Sequence, residues 1–166
     1  MQQSKTAESG QVGSKNSRAD YAWFKTMTTR WMDNDVYGHV NNVVYYSFFD
    51  TAVNAMLIEN GLLDTGASPA IGLVVDTGCT YAASLSFPGD VTAGIKVARL
   101  GTSSIRYDVA LFASESDQAA ATGHFVHVYV DRETRRPVPV PENIRAFLDR
   151  LSAASEQPCA ATGSSQ

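Results

Sequence analysis

Cysteine is almost absent from this chain. Its two cysteines among 166 residues, Cys79 in an apolar, strand-like context and Cys159 in a polar stretch, form neither a disulfide framework nor the paired spacing of a structural metal site. Histidine is nearly as scarce: besides His39 there are only His124 and His127. Those two lie three apart on a strand-like segment and point to opposite faces, which argues against a hydrolytic zinc centre built with Asp33, Asp35 and His39. Long apolar runs are also missing. Asp50 interrupts the longest candidate before it reaches the roughly 18 to 20 residues of a membrane span. The first twenty residues lack the apolar centre of a secretory signal, so the expected address is the cytoplasm. Positive charge is in deficit, 13 Lys and Arg against 17 Asp and Glu for a net charge of -4, which gives no reason to expect nucleic acid or an anionic membrane as partner.

Proline and glycine never cluster into an internal linker, and no repeat of solenoid length is present. One domain over residues 19–152 is expected, between a Ser-, Gln- and Gly-rich tail at 1–18 and an Ala-, Ser- and Gly-rich tail at 153–166. Hydrophobic residues make up 44% of the chain and charged residues 18%, a composition able to bury a real core.

What is there in quantity is β-branched and aromatic sequence in short runs. Residues 21–29, "YAWFKTMTT", read as a first strand. Segments 71–87, 90–100, 105–114 and 119–131 read as four more, and their short connectors predict antiparallel hairpins or a meander. In 105–111 the odd positions Ile105, Tyr107, Val109 and Leu111 share one face, opposite Ser104, Arg106 and Asp108. Between the first and second strands, residues 42–60 carry apolar side chains around most of a helical circumference, the pattern of a helix enclosed on several sides. Gly61 stands where a left-handed residue closes such a helix. Residues 140–151, with Pro141 near the start, predict a short amphipathic terminal helix. The fold class is α+β, an antiparallel sheet of about five strands curled around one long central helix.

Directly before that helix the chain reads "RWMDNDVYGHVNN", residues 30–42, a dense polar string at the mouth of an apolar element. Asn41 or Asn42 can cap the helix, Gly38 can serve a tight turn, and Asp33 and Asp35 can be turn residues. The same string resembles the signature of hotdog-fold thioesterases of the 4-hydroxybenzoyl-CoA thioesterase type, whose members commonly read D-x-D-x-x-G-H-V-N-N-x-x-Y. Asp33, Asp35, Gly38, His39, Val40, Asn41, Asn42 and Tyr45 match every position. "FPGD" at 87–90, "ARLGTSSIRYDVAL" at 98–111 and "AATGHFVHVYVDRETRRPVPVP" at 120–141 support the resemblance. Plant acyl-carrier-protein thioesterases share a related string, but Tyr37 stands where they place an asparagine.

The resemblance implies acyl-CoA thioester hydrolysis without a cofactor, by a homodimer or homotetramer whose site lies between subunits. It implies Asp35 as the catalytic carboxylate, with His39, Asn41 and Asn42 beside it. Helix N-termini stabilise anions and offer outward N–H groups, so N–H groups around Asn41 and Asn42 can polarise the thioester carbonyl while Asp35 attacks it or deprotonates water. The coenzyme A moiety is expected at Arg99, Ser103, Ser104 and Arg106, ahead of the Arg132, Arg135 and Arg136 cluster. Two other readings stay open: a hotdog dehydratase or hydratase using His39, and a non-catalytic acyl-CoA binding protein in which the motif only caps the helix.

Overall fold

A computed structural model describes residues 16–155; most of the two expected tails therefore lies outside the described residues. Five strands, β1 (Trp23–Thr28), β2 (Ala70–Tyr81), β3 (Asp90–Leu100), β4 (Ser104–Ala113) and β5 (Ala121–Asp131), form one antiparallel sheet in the order β1-β3-β4-β5-β2. Helix α1 (Asn42–Glu59) packs along its concave face and α2 (Glu142–Ser155) follows β5. This is the expected hotdog arrangement. Among the described residues no helix is long and apolar enough to cross a membrane.

Helix α1 is where the sequence pattern predicts it, but it is not enclosed all round: Val43, Ser47, Asp50, Thr51 and Ile58 form an exposed stripe opposite its buried face. Tyr45, Phe48, Phe49, Ala52, Val53, Met56 and Leu57 are all buried, each larger side chain contributing about 1.5–3 kcal/mol relative to exposure. Its end is closed by Gly61 at φ 67°, with Gly61 N–H donating to Ile58 O at 3.0 Å and Leu62 N–H to Leu57 O at 2.8 Å. That is the paired closure a left-handed residue permits. The odd residues of β4 face α1 as predicted, and Ile105, Tyr107, Val109 and Leu111 are all 0% exposed. Ile144 and Leu148 of α2 complete the same core.

Two sequence expectations differ from the structure. β3, β4 and β5 form the expected meander, but β2 and β3 do not pair: β2 lies against β5, and β1 takes the place beside β3. The reason lies in residues 82–89, which the sequence pattern assigned partly to the second strand. They leave the sheet at Tyr81 and run as a strap across the start of α1, where Leu85 O accepts from Val40 N–H at 2.8 Å and the Phe87 backbone pairs with the Asn34 side chain. At the chain ends, α2 continues to Ser155, and Asn16 O and Arg18 bond to the 116–119 loop. The folded unit thus reaches slightly beyond 19–152.

Candidate active site

The polar string before α1 resolves into two aspartates with different environments. Asp33 is 1% exposed. Arg30 grips its carboxylate through Nη2 at 2.8 Å and Nε at 3.1 Å, the Arg30 N–H adds a third donor at 2.7 Å, and Asp33 O accepts from Asn41 N–H at 2.8 Å. All its capacity is spent on fixing the turn. Asp35 is half-buried. Its Oδ1 accepts from Tyr37 N–H at 2.8 Å, while Oδ2 has no partner among the described residues.

The loop carrying Asp35 is short and closed. Asp35 N–H donates to His39 O at 2.8 Å and Gly38 N–H to Asp35 O at 3.1 Å, with Gly38 at φ 81°. That φ is the left-handed conformation glycine adopts without a steric penalty. Asn34 bridges with Val40 across its base, and both residues are tied to the strap. The carboxylate is therefore presented on backbone anchored at both ends.

Backbone accounting then singles out one donor at the head of α1. The Asn41 side chain caps the helix, its Oδ1 accepting from Val43 N–H at 3.1 Å, and Asn41 O takes Val44 N–H at 2.9 Å. Val40 N–H and Asn41 N–H are spent on Leu85 O and Asp33 O. Asn42 N–H has no partner among the described residues, as expected of a first-turn amide that water or a ligand must satisfy. Of the two amides the sequence offered as a carbonyl-polarising pair, Asn42 N–H alone is free. Asn41, expected beside the reacting groups, is occupied as the cap and does not line the pocket.

Asp35, His39, Val40, Asn42 and Tyr45 converge on an open pocket of about 320 Å³, closed on the far side by Tyr81 at the end of β2 and by Ala82, Ala83 and Ser84 of the strap. Tyr45, expected as a core aromatic, is 3% exposed yet forms part of its floor. Tyr81 and the strap residues were not singled out from the sequence, because no local pattern tells that the chain turns from strand to strap at residue 81.

The expected coenzyme A residues lie elsewhere. The 101–104 turn sits at the opposite end of the sheet from Asp35: Ser104 pairs with Val128, which pairs with Leu73, whereas the pocket adjoins Tyr81. The separation is eight strand residues, about 26 Å. Arg99 and Arg106 stand opposite one another on β3 and β4, and Arg106 lies with Lys96, Asp108 and His124 in a separate cleft of about 240 Å³. Arg132 is committed to the 64–68 loop, donating to Ser68 O at 2.6 Å and Thr65 O at 3.2 Å. His124 and His127 face opposite sides: His124 meets Asp76 at 3.0 Å, whereas His127 is 1% exposed.

With this geometry in place, the profile of the thioesterase-like superfamily matches residues 29–148. The chain belongs to the thioesterase-like superfamily. The match begins just before the Asp33 and Asp35 turn and ends within α2, so it spans the candidate site and strands β2 to β5. The crystal structure of the PA5185 protein from Pseudomonas aeruginosa strain PAO1 is 51% identical, superposes with a TM-score of 0.80, and covers 82% of this chain and 95% of its own. The PA2801 protein from Pseudomonas aeruginosa, a proposed thioesterase, is 30% identical at a TM-score of 0.72, covering 77% and 98%. A 1,4-dihydroxy-2-naphthoyl-CoA thioesterase from Synechocystis is 15% identical at a TM-score of 0.69, covering 76% and 94%, a likeness of fold. No curated protein sequence matches. As a member of this superfamily the protein is a thioester hydrolase.

Proposed function

We propose that this thioesterase hydrolyses acyl-CoA thioesters, with Asp35 as nucleophile or general base and Asn42 N–H as the donor to the thioester carbonyl. The observation that carries this reading is the convergence of a carboxylate oxygen and an unpaired helix-terminal amide on one pocket. Attack at the carbonyl carbon, by Asp35 Oδ2 or by water that gives its proton to Asp35, places negative charge on the carbonyl oxygen. Asn42 N–H and the positive end of α1 stabilise that charge. Collapse of the tetrahedral species breaks the carbon–sulfur bond and releases coenzyme A as a thiolate, a leaving group that needs no strong acid; where Asp35 is the nucleophile, water then cleaves the acyl–Asp35 anhydride to the free acid and restores the carboxylate. His39, exposed on the rim, fits substrate orientation.

The remaining surface of the acyl site is proposed to come from a second copy of the chain. Among the described residues β2 pairs only with β5, and its other edge exposes Leu73, Val74 and Val75, an arrangement that invites strand addition. Two β2 edges joined antiparallel about a two-fold axis would extend the sheet. They would also reverse the partner's sheet, bringing its 101–104 turn to the same end as this chain's Asp35. Ser103, Ser104, Arg99 and Arg106 would then serve coenzyme A from the partner side.

Free-thiol release from a panel of short, long and aromatic acyl-CoAs tests the activity. Turnover of at least one member is expected; no turnover of any thioester, with tight acyl-CoA binding retained, would overturn hydrolysis of this substrate class.

A further inference from the structure

Tyr81 ends β2, yet its hydroxyl leaves the sheet and donates to Asn42 O at 2.9 Å. That carbonyl lies in the first turn of α1, next after the Asn41 carbonyl, and needs no second donor for its own satisfaction. The bond's structural consequence is a tie between the last residue of β2 and Asn42, a pocket-lining residue whose N–H is unpaired among the described residues. The tie is stiffened from the side. The Tyr81 ring meets Tyr45 edge-on, with centroids 4.9 Å apart at 85°, and the Tyr45 hydroxyl accepts from Leu85 N–H of the strap at 3.2 Å. Strand, strap and helix head are thereby joined around the pocket through two tyrosines. Burial first, and then the adjacent Cys79 thiol, hold the Tyr81 phenol above its ordinary range, so it remains a donor across the neutral pH range.

We infer that Tyr81 is a positioning residue for catalysis: its hydroxyl holds the Asn42–Val43 peptide and, through the Asn42 Cα, the adjoining Asn41–Asn42 peptide, so that the Asn42 N–H meets the oxyanion in the transition state. This role rests on the hydrolytic reading above and adds to it a residue outside the D-x-D string. A donor displaced by a fraction of an ångström loses more in the transition state than in the ground state, because charge has not yet developed on the substrate carbonyl. The defect should therefore fall on kcat.

Tyr81→Phe keeps the ring against Tyr45 and removes only the hydroxyl. Steady-state thiol release by the full chain, with thermal melting alongside, is expected to show kcat lowered about three- to tenfold. KM should stay within about twofold and the melting temperature within about 3 °C. A variant that merely folds less well would lose active sites in proportion to its lost folded fraction, which melting and circular dichroism read directly. Wild-type kcat in Tyr81→Phe would overturn the positioning role and leave hydrolysis standing. A raised KM with kcat retained would also overturn it, placing Tyr81 in substrate binding instead. Absence of turnover by the wild type would overturn both.

Discussion

Acid should destabilise this protein through one buried ring. His127 lies on β5 beneath the helices, 1% exposed, with neither ring nitrogen hydrogen-bonded. Tyr107, Phe125 and Tyr129 surround it edge-on at centroid distances of 6.0, 5.0 and 6.3 Å. The Tyr107 and Tyr129 hydroxyls are likewise buried and unpaired, so no carboxylate compensates an imidazolium there. Burial alone lowers the His127 pKa from 6.5 to about 4. The folded state thus binds this proton more weakly than the unfolded chain, and stability is lost as pH falls. The loss begins near pH 6.5, where the unfolded chain protonates, and is complete below about pH 4. The full difference is worth ~3 kcal/mol, of which ~2.5 kcal/mol has been lost at pH 4.5. Against a total stability of about 5–15 kcal/mol for a typical domain, that is a substantial share. Urea unfolding at pH 7.5 and pH 4.5 measures it, and His127→Leu, similar in volume and unable to protonate, isolates it from the carboxylates. The wild type should lose ~2.5 kcal/mol more than His127→Leu over that interval. Equal losses in the two proteins, or a His127 titration near pH 6.5 followed by NMR, would refute the reasoning.

Three other substitutions probe the framework. Gly123→Ala would place a Cβ 2.2 Å from Gly78 O and 2.5 Å from the Phe49 ring; with strand backbone on one side and the core helix on the other, a loss of at least ~3 kcal/mol is expected, visible as a melting temperature lower by about 10 °C. Arg30→Ala leaves the Asp33 carboxylate buried without its guanidinium. A lower urea midpoint should follow, with kcat falling as the Asp35 turn loosens. Val74→Pro, on the exposed edge of β2, removes a backbone donor and, if the proposed β2–β2 dimer forms, should turn it into monomers in sedimentation while reducing thiol release.

The helix and the meander were legible because their signals are local. Apolar periodicity from Val44 to Leu57 marks the long helix although a stripe of Val43, Ser47, Asp50, Thr51 and Ile58 is exposed, and alternation in β4 assigns each side chain to a face before any partner strand is known. The pairing of β2 with β5 was not legible, since strand order across a sheet depends on contacts distant in sequence. Asp35 stood out only through its place in a motif; spacing alone treats Asp33 and Asp35 alike, and what separates them is Arg30, which satisfies one carboxylate and not the other. The free Asn42 amide emerges only when the N–H groups of Val40, Asn41, Val43 and Val44 have been assigned their acceptors, and the Tyr81 bond only from the fold. Arg132 was open to a phosphate role by charge alone, and only the structure shows that its guanidinium is occupied by loop carbonyls.

Asp35→Ala most directly tests whether one half-buried carboxylate beside the head of α1 performs the chemistry. With a turned-over acyl-CoA as substrate and circular dichroism to verify the fold, kcat/KM should fall by about a thousandfold or more. A variant that releases thiol at the wild-type rate would contradict the role of Asp35 outright.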